Sequence, residues 1–196
     1  MTRRDFAARA MLAGLVLALP FGLSGCPAKR VIDYAIEARS ADDIGKDNEI
    51  FVEVNEIMLD MGNIEASTEI YEQRLLITGL FDDAETYDVF RRRVQQVQGV
   101  RELLWHAVYM SKSEQLEHSE TIIGWAEITA LDTKAEYSLL QTKGVADVNM
   151  RVGVDAFGTG YVLGRARSAG ERDQALAAVR KVEGIREVVD YLEVRP

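Results

Sequence analysis

The sequence predicts an α+β protein built as two tandem α-β-β-α-β units, each a three-stranded sheet with two helices on one face. Three observations predict it: an internal repeat, a strand of clean period two, and matched helix boundaries in the two halves. Val94-Gln95-Gln96-Val97-Gln98-Gly99-Val100-Arg101-Glu102-Leu103-Leu104 aligns with Val179-Arg180-Lys181-Val182-Glu183-Gly184-Ile185-Arg186-Glu187-Val188-Val189 at an offset of 85, which also carries Gly79 onto Gly164. Upstream, Ile64, Ala66, Thr68 and Ile70 match Val148, Met150, Val152 and Val154 at an offset of 84. A turn absorbs an extra residue cheaply, so the one-residue difference falls in the turn containing Gly158 and Gly160. Self-similarity of this kind describes a duplicated domain.

Each copy opens on a helix. In copy one Ile50, Val54, Ile57, Met58 and Met61 recur at spacings of three and four, and in copy two the helix lies within Ile122 to Lys143, with Tyr137 and Leu140. An alternating strand follows, clearest in Val148-Asn149-Met150-Arg151-Val152-Gly153-Val154, whose period of two puts four apolar side chains on one face. A hairpin leads to a short strand, Leu75 to Thr78 or Tyr161 to Leu163, ending at Gly79 or Gly164. The second helix begins at Ser168, where Glu171 completes a capping box, and at Asp83 in the acidic run Asp82-Asp83-Ala84-Glu85. Tyr87, Phe90, Val94 and Val97 give it an apolar stripe, which Ala175, Val179 and Val182 largely repeat. Gly99 and Gly184 stand just past the stripe, where a left-handed helix cap favours glycine. A last strand closes each copy, near Arg101 to Met110 and Arg186 to Val194. Ser111 to about Glu120 is rich in Glu and Ser and reads as a linker, giving units at 41–110 and 120–196 separated by 111–119.

Residues 1–25 differ from the rest. Arg3, Arg4 and Arg9 stand against Asp5, and the run from Ala10 to Leu23 holds no charge. A membrane-spanning helix needs roughly 20 apolar residues. The run is shorter and is interrupted by Pro20 and Gly22, so it reads as a cleaved signal peptide. Leu23-Ser24-Gly25-Cys26 follows and resembles the lipobox of bacterial lipoproteins, in which the cysteine thiol is alkylated and becomes the new N-terminus. Small neighbours let a membrane-embedded peptidase reach the backbone. The expected attachments are diacylglycerol and an N-acyl chain (palmitate) on Cys26, with 26–40 as a tether and no other cofactor. Cys26 is the single cysteine, which excludes an intrachain disulfide. Arg3-Arg4-Asp5-Phe6 resembles a twin-arginine export signal, although Ala7 is smaller than that pattern prefers. An ordinary basic leader explains the same residues, so Sec and Tat export both stay open.

With 47% hydrophobic and 28% charged residues and three prolines, the chain has the composition of a folded protein. Its net charge is −9, and loss of residues 1–25, with three Arg and one Asp, leaves −11. Phosphate binding is driven by counterion release on a basic face, so nucleic acid is excluded as a partner. The same charge opposes attraction of the whole protein to anionic lipid.

The residues resemble the BON (bacterial OsmY and nodulation) domain, a repeated envelope module of α-β-β-α-β order. The resemblance rests on the apolar-Gly steps Thr78-Gly79 and Leu163-Gly164, and on Val97-Gln98-Gly99-Val100-Arg101-Glu102-Leu103 and Val182-Glu183-Gly184-Ile185-Arg186-Glu187-Val188. It covers about 40 to 196, and Arg39-Ser40, Gly45, Asp47 and Val54-Asn55 are similar to the start of such a domain. Lipobox, tether and two BON domains together look most like the dual-BON outer-membrane lipoproteins. The resemblance implies a non-enzymatic, periplasm-facing protein that binds anionic phospholipid and supports envelope integrity. Pro27 is not the Asp associated with inner-membrane retention in enterobacteria, which leans toward the outer membrane.

In such relatives lipid contact is assigned to the first helix of the second domain. Here that implies Trp125, Lys134, Tyr137 and Lys143, on a helix that also carries Glu127, Asp132 and Glu136. Trp125 is read either as an interfacial anchor or as a residue packed between the domains. His106 and His118 lack the partners of a metal site, and Gly158-Thr159-Gly160 lacks the lysine of a phosphate loop. No nucleophile stands with a base. Two further functions stay open: an adaptor docking onto another envelope protein through exposed edges and helices, and an osmotic-stress protein protecting the envelope.

Overall fold

A computed structural model describes residues 37–62 and 64–195. The expected signal peptide, Leu23, Ser24, Gly25, Cys26 and most of the expected tether lie outside the described residues. The first unit comprises α1 (Ala41–Asp60), β1 (Ala66–Tyr71), β2 (Arg74–Phe81), α2 (Ala84–Val94) and β3 (Glu102–Tyr109). A short helix α3 (Lys112–Glu117) follows, and then α4 (Trp125–Gln141), β4 (Met150–Val154), β5 (Thr159–Ala166), α5 (Ala169–Arg180) and β6 (Glu187–Val194). Both units therefore have the α-β-β-α-β order. Strands β2 and β5, and likewise β3 and β6, are offset by 85 residues at both ends.

Each sheet has the order first-second-third strand, with the second in the middle. The outer pair is antiparallel (Ala66 opposite Gly79, Met150 opposite Gly164), and the other is parallel (Arg74 beside Glu102, Thr159 beside Glu187). A parallel pair needs a crossover, which α2 and α5 supply.

Local signals account for the elements. Ser40 caps α1 by accepting from Asp43 N at 3.1 Å, with Asp42 and Asp43 favourable in the first turn. Ile50, Val54 and Ile57 are its buried stripe. The β1–β2 hairpin turns on Glu72 and Gln73, both at positive φ, as a two-residue hairpin matched to strand twist requires. Buried Asp47 stabilises this turn, accepting from Glu72 N, Gln73 N, Gln73 Nε2 and Arg39 Nη1 at 2.7–2.9 Å. Its repeat partner Asp132 accepts from Val154 N at 2.6 Å, because the longer second hairpin is organised by Asp155, which takes Phe157 N and Thr159 N.

Several boundaries differ from the sequence reading. Val148 and Asn149 belong to a 3-10 turn, so the strand starts at Met150. Asn149 leaves the strand to accept from Tyr71 Oη and Ala38 N. β2 and β5 run past Gly79 and Gly164 to Phe81 and Ala166. Gly160 is inside β5 rather than in the turn. Gly99 and Gly184 have positive φ but do not cap helices: α2 and α5 end earlier, and i→i−3 bonds such as Val97 N to Val94 O and Val182 N to Val179 O intervene. Ser168 caps α5, yet Glu171 does not return the bond and instead accepts from Ala146 N and Arg167 N. The linker holds α3, closed by a full capping box between Ser111 and Glu114.

Each sheet packs its helices on one face. Leu75, Ile77, Phe81, Phe90 and Val54 form one core, and Val152, Val162, Leu131, Leu139 and Val179 the other. The opposite faces of the two sheets meet: Tyr71, Leu76 and Leu104 pack on Tyr161 and Leu163, with Val189 and Tyr191 beside them. β2 and β5 are thus buried on both faces, and the layers run helix, sheet, sheet, helix. Thr78 Oγ1 donates to Val154 O at 3.2 Å, and Arg74 Nη1 to Tyr191 O at 2.7 Å across this seam. His106 Nε2 lies 2.8 Å from Tyr191 Oη, and its ring lies tilted against that of Tyr161 with centroids 4.1 Å apart. Burial pushes the His106 pKa down, against a smaller opposing effect of Asp155. Among the described residues no helix is long and apolar enough to cross a membrane.

Candidate functional site

Helix α4 buries Ile128, Leu131, Ala135 and Leu139 against the second sheet and turns the intervening residues outward. Tyr137 is 60% exposed and Lys134 is exposed one turn before it. They line a groove of about 520 Å³ between α4 and α5, together with Ser138, Gln141, Gln174 and Lys181. Among the described residues no acidic side chain lines it. On a chain of net charge −9, a groove with two lysines, an exposed phenol and amide and hydroxyl groups is a local exception. It can hold an anionic headgroup by charge and hydrogen bonding while the Tyr137 ring stays at the boundary.

The other sequence candidates lie elsewhere. Trp125 begins α4, twelve residues before Tyr137, which is roughly 18 Å along a helix. It is half-buried against the core of its own unit, neither between the sheets nor in the groove. Lys143 is exposed past the end of α4 and does not line the groove. Trp125→Ala is expected to cost about 2 kcal/mol in a denaturant melt while leaving vesicle binding unchanged.

A second groove, of about 410 Å³, flanks Tyr137 on its other side and is lined by Glu136, Leu140, Asp147, Val148, Met150 and Arg151. The chain enters the described structure beside it, since Ala38 N donates to Asn149 Oδ1 at 2.7 Å. Arg39 extends this attachment to the first unit through Asp47 and lies over the Tyr71 ring. Next to this groove Asp132 is pushed up to about 7 by burial, opposed by the Val154 N–H and reinforced by Glu136. Glu69 of β1, on the facing unit, is pushed up to about 8 by burial and by Glu136, with Arg151 opposing and Asp132 adding.

Sequence reasoning missed Lys181 and Gln174, which only the packing of α5 on α4 brings to the groove. It also missed the carboxyl cluster, although Asp132 stands at the repeat position of Asp47. Among the described residues no group of three His, Cys, Asp or Glu is placed to hold a metal.

With this geometry in view, the decisive comparison concerns the second unit. Residues 129–196 match the BON domain. The match starts within α4 and runs to the end of the chain, so it contains Lys134, Tyr137 and Lys181. BON-domain proteins are generally non-enzymatic binding proteins, and the domain points to a phospholipid- or membrane-binding role at the envelope. No curated protein matches the chain. Two solved structures of CdsD, a structural protein of the type III secretion system of Chlamydia trachomatis, are similar at TM-scores of 0.31 and 0.30 and 10% identity. They cover 76% and 74% of this chain and 93% and 96% of their own, and at these scores the likeness decides nothing about fold or function.

Proposed function

We propose that the protein is a non-enzymatic envelope lipoprotein whose second unit binds anionic phospholipid headgroups in the groove between α4 and α5. The observation that carries this reading is the acid-free groove holding Lys134, Tyr137 and Lys181 inside the BON match. Each lysine near an anionic surface contributes about 1 kcal/mol. The first unit is read as a second BON domain, on the shared element order, sheet topology and 85-residue offset. The acylated Cys26 would supply most of the attachment, at about 0.8 kcal/mol per buried CH₂. It would hold the protein at the outer membrane, facing the periplasm. The docking of Ala38 on Asn149 supports this arrangement, because the tether then leaves beside Tyr137.

The test is flotation of the 27–196 fragment on phosphatidylglycerol and on neutral vesicles. Preferential binding to phosphatidylglycerol is expected, falling at least tenfold in Lys134→Glu/Lys181→Glu and weakening with salt. Equal flotation on both vesicles would remove the lipid reading. In cells, Cys26→Ala is expected to leave the membrane fraction, and a variant that still sediments with membranes would place the anchor elsewhere.

A further inference from the structure

The face of α4 that lines the lysine groove has a counterpart on α1, with the charge inverted. The 85-residue offset places Asn48, Glu49, Val52, Glu53 and Glu56 where α4 has Thr133, Lys134, Tyr137, Ser138 and Gln141. The core positions support the register, since buried Ile50 and Val54 of α1 correspond to buried Ala135 and Leu139 of α4, and Asp47 to the half-buried Asp132. Those five α1 residues line a shallow groove of about 660 Å³. Val52 occupies the position of Tyr137 and is 53% exposed. Leu59, 67% exposed, continues the strip two turns on, and Phe51, 44% exposed, flanks it.

Glu49, Glu53 and Glu56 form a row along one side of this strip, at spacings of four and three. None of the three is in an ion pair among the described residues. A cation on the helix and one across it are already held, Lys46 by Asp42 at 2.5 Å and Arg93 by Asp60 at 2.7 Å. An anionic bilayer would be repelled by this row. A second copy meeting α1 to α1 would set two such rows along one contact. An apolar strip with an acidic border is instead complementary to a helix that is apolar on one side and basic beside it.

We propose that the solvent face of α1 docks a cationic amphipathic helix of a partner protein. The duplicated face thus serves two chemistries, an anionic headgroup on the second unit and a basic helix on the first. The α1 surface does not depend on the lipid reading of the α4 groove.

The test uses the full chain in nanodiscs of neutral phosphatidylcholine, with empty nanodiscs as blank, and a fluorescent 14-residue amphipathic Leu/Lys peptide as probe. Anisotropy is expected to show saturable binding that weakens at least tenfold in Glu49→Lys/Glu53→Lys and, separately, in Val52→Ser/Leu59→Ser. The control Glu127→Lys/Glu183→Lys, on other exposed surfaces, is expected to bind as the parent does. Equal weakening in that control would reduce the effect to bulk charge and overturn the proposal. So would full affinity in Val52→Ser/Leu59→Ser, which would show that the strip makes no contact. Loss of phosphatidylglycerol flotation in Val52→Ser/Leu59→Ser would make the face a lipid surface, and loss of a sedimenting dimer in Glu49→Lys/Glu53→Lys would make it a self-contact. Either outcome rejects the partner helix.

Discussion

Gly164→Ala is expected to destabilise the protein by about 4 kcal/mol, seen as a fall in melting temperature of roughly 10 °C or more. Gly164 sits in the middle strand of the second sheet with φ +135°, a backbone conformation that side chains disfavour. A Cβ there would collide with Asn149 O and lie 3.0 Å from Met150 Cα, both backbone atoms with no room to rotate away. The 3-10 turn would have to move, and Asn149 with it. That residue holds Ala38 N and the Tyr71 hydroxyl, so the damage reaches the junction between the units and the chain leading to the tether. Gly79, its repeat partner, is a milder case. Its Cβ would find Glu65 O at 3.0 Å and Ala66 Cβ at 3.2 Å, and Gly79→Ala is expected to cost about 1–2 kcal/mol. Thermal melts of the two variants side by side check the ranking, and equal losses would mean that the contact with Asn149 is relieved by backbone movement.

The same pair shows what a repeat makes legible. The offset of 85 aligned β2 with β5 and β3 with β6, because both copies must place the same apolar side chains on the same sheet face. It said nothing of what covers the other face. Leu75-Leu76-Ile77 and Tyr161-Val162-Leu163 are runs without polar interruption, the pattern of strands buried on both sides, but a run does not name its second neighbour. Tyr71 and Leu104 supply that neighbour from strands whose alternation suits a sheet with one wet face. The groove was half legible for a related reason. Lys134 and Tyr137 share a helix face by spacing alone, whereas Lys181 arrives from the end of another helix and Trp125 packs half-buried against the core. Inversion of charge between α1 and α4 was present in the residues, yet it acquires meaning only when both faces are known to be exposed.

Raising the pH from 5 to 8.5 is expected to weaken the folded protein through Glu69 and Asp132. Glu69 projects from the first unit over Gly153 of the second, where its Cγ lies 3.5 Å from the place a Cβ would occupy. Asp132 and Glu136 face it from α4 and Arg151 from β4, and the Arg151 guanidinium already donates to Met150 O at 2.7 Å. Folding therefore carries these carboxyls from ordinary values of 4.5 and 3.8 to about 8 and about 7. Between those limits the unfolded chain has released protons that the folded chain keeps. The stabilisation is complete below about pH 3 and is lost as pH rises toward 8, by about 4 kcal/mol for Glu69. His106, held below its usual value by burial, acts in the opposite direction near its own titration. Glu37 and Glu171, which burial pushes up but which the hydrogen bonds of Arg39 and Arg167 hold below the ordinary carboxylate value on balance, change stability only below about pH 5. The difference between Glu69→Gln and the parent isolates the effect. In urea unfolding the variant is expected to stay within about 1 kcal/mol of the parent near pH 5 and to exceed it by about 4 kcal/mol at pH 8.5, a gap that a pH-independent difference would contradict. Ionisation at that site loosens the contact of β1 with β4, and with it the face-to-face packing that sets the two units back to back and turns α1 and α4 outward.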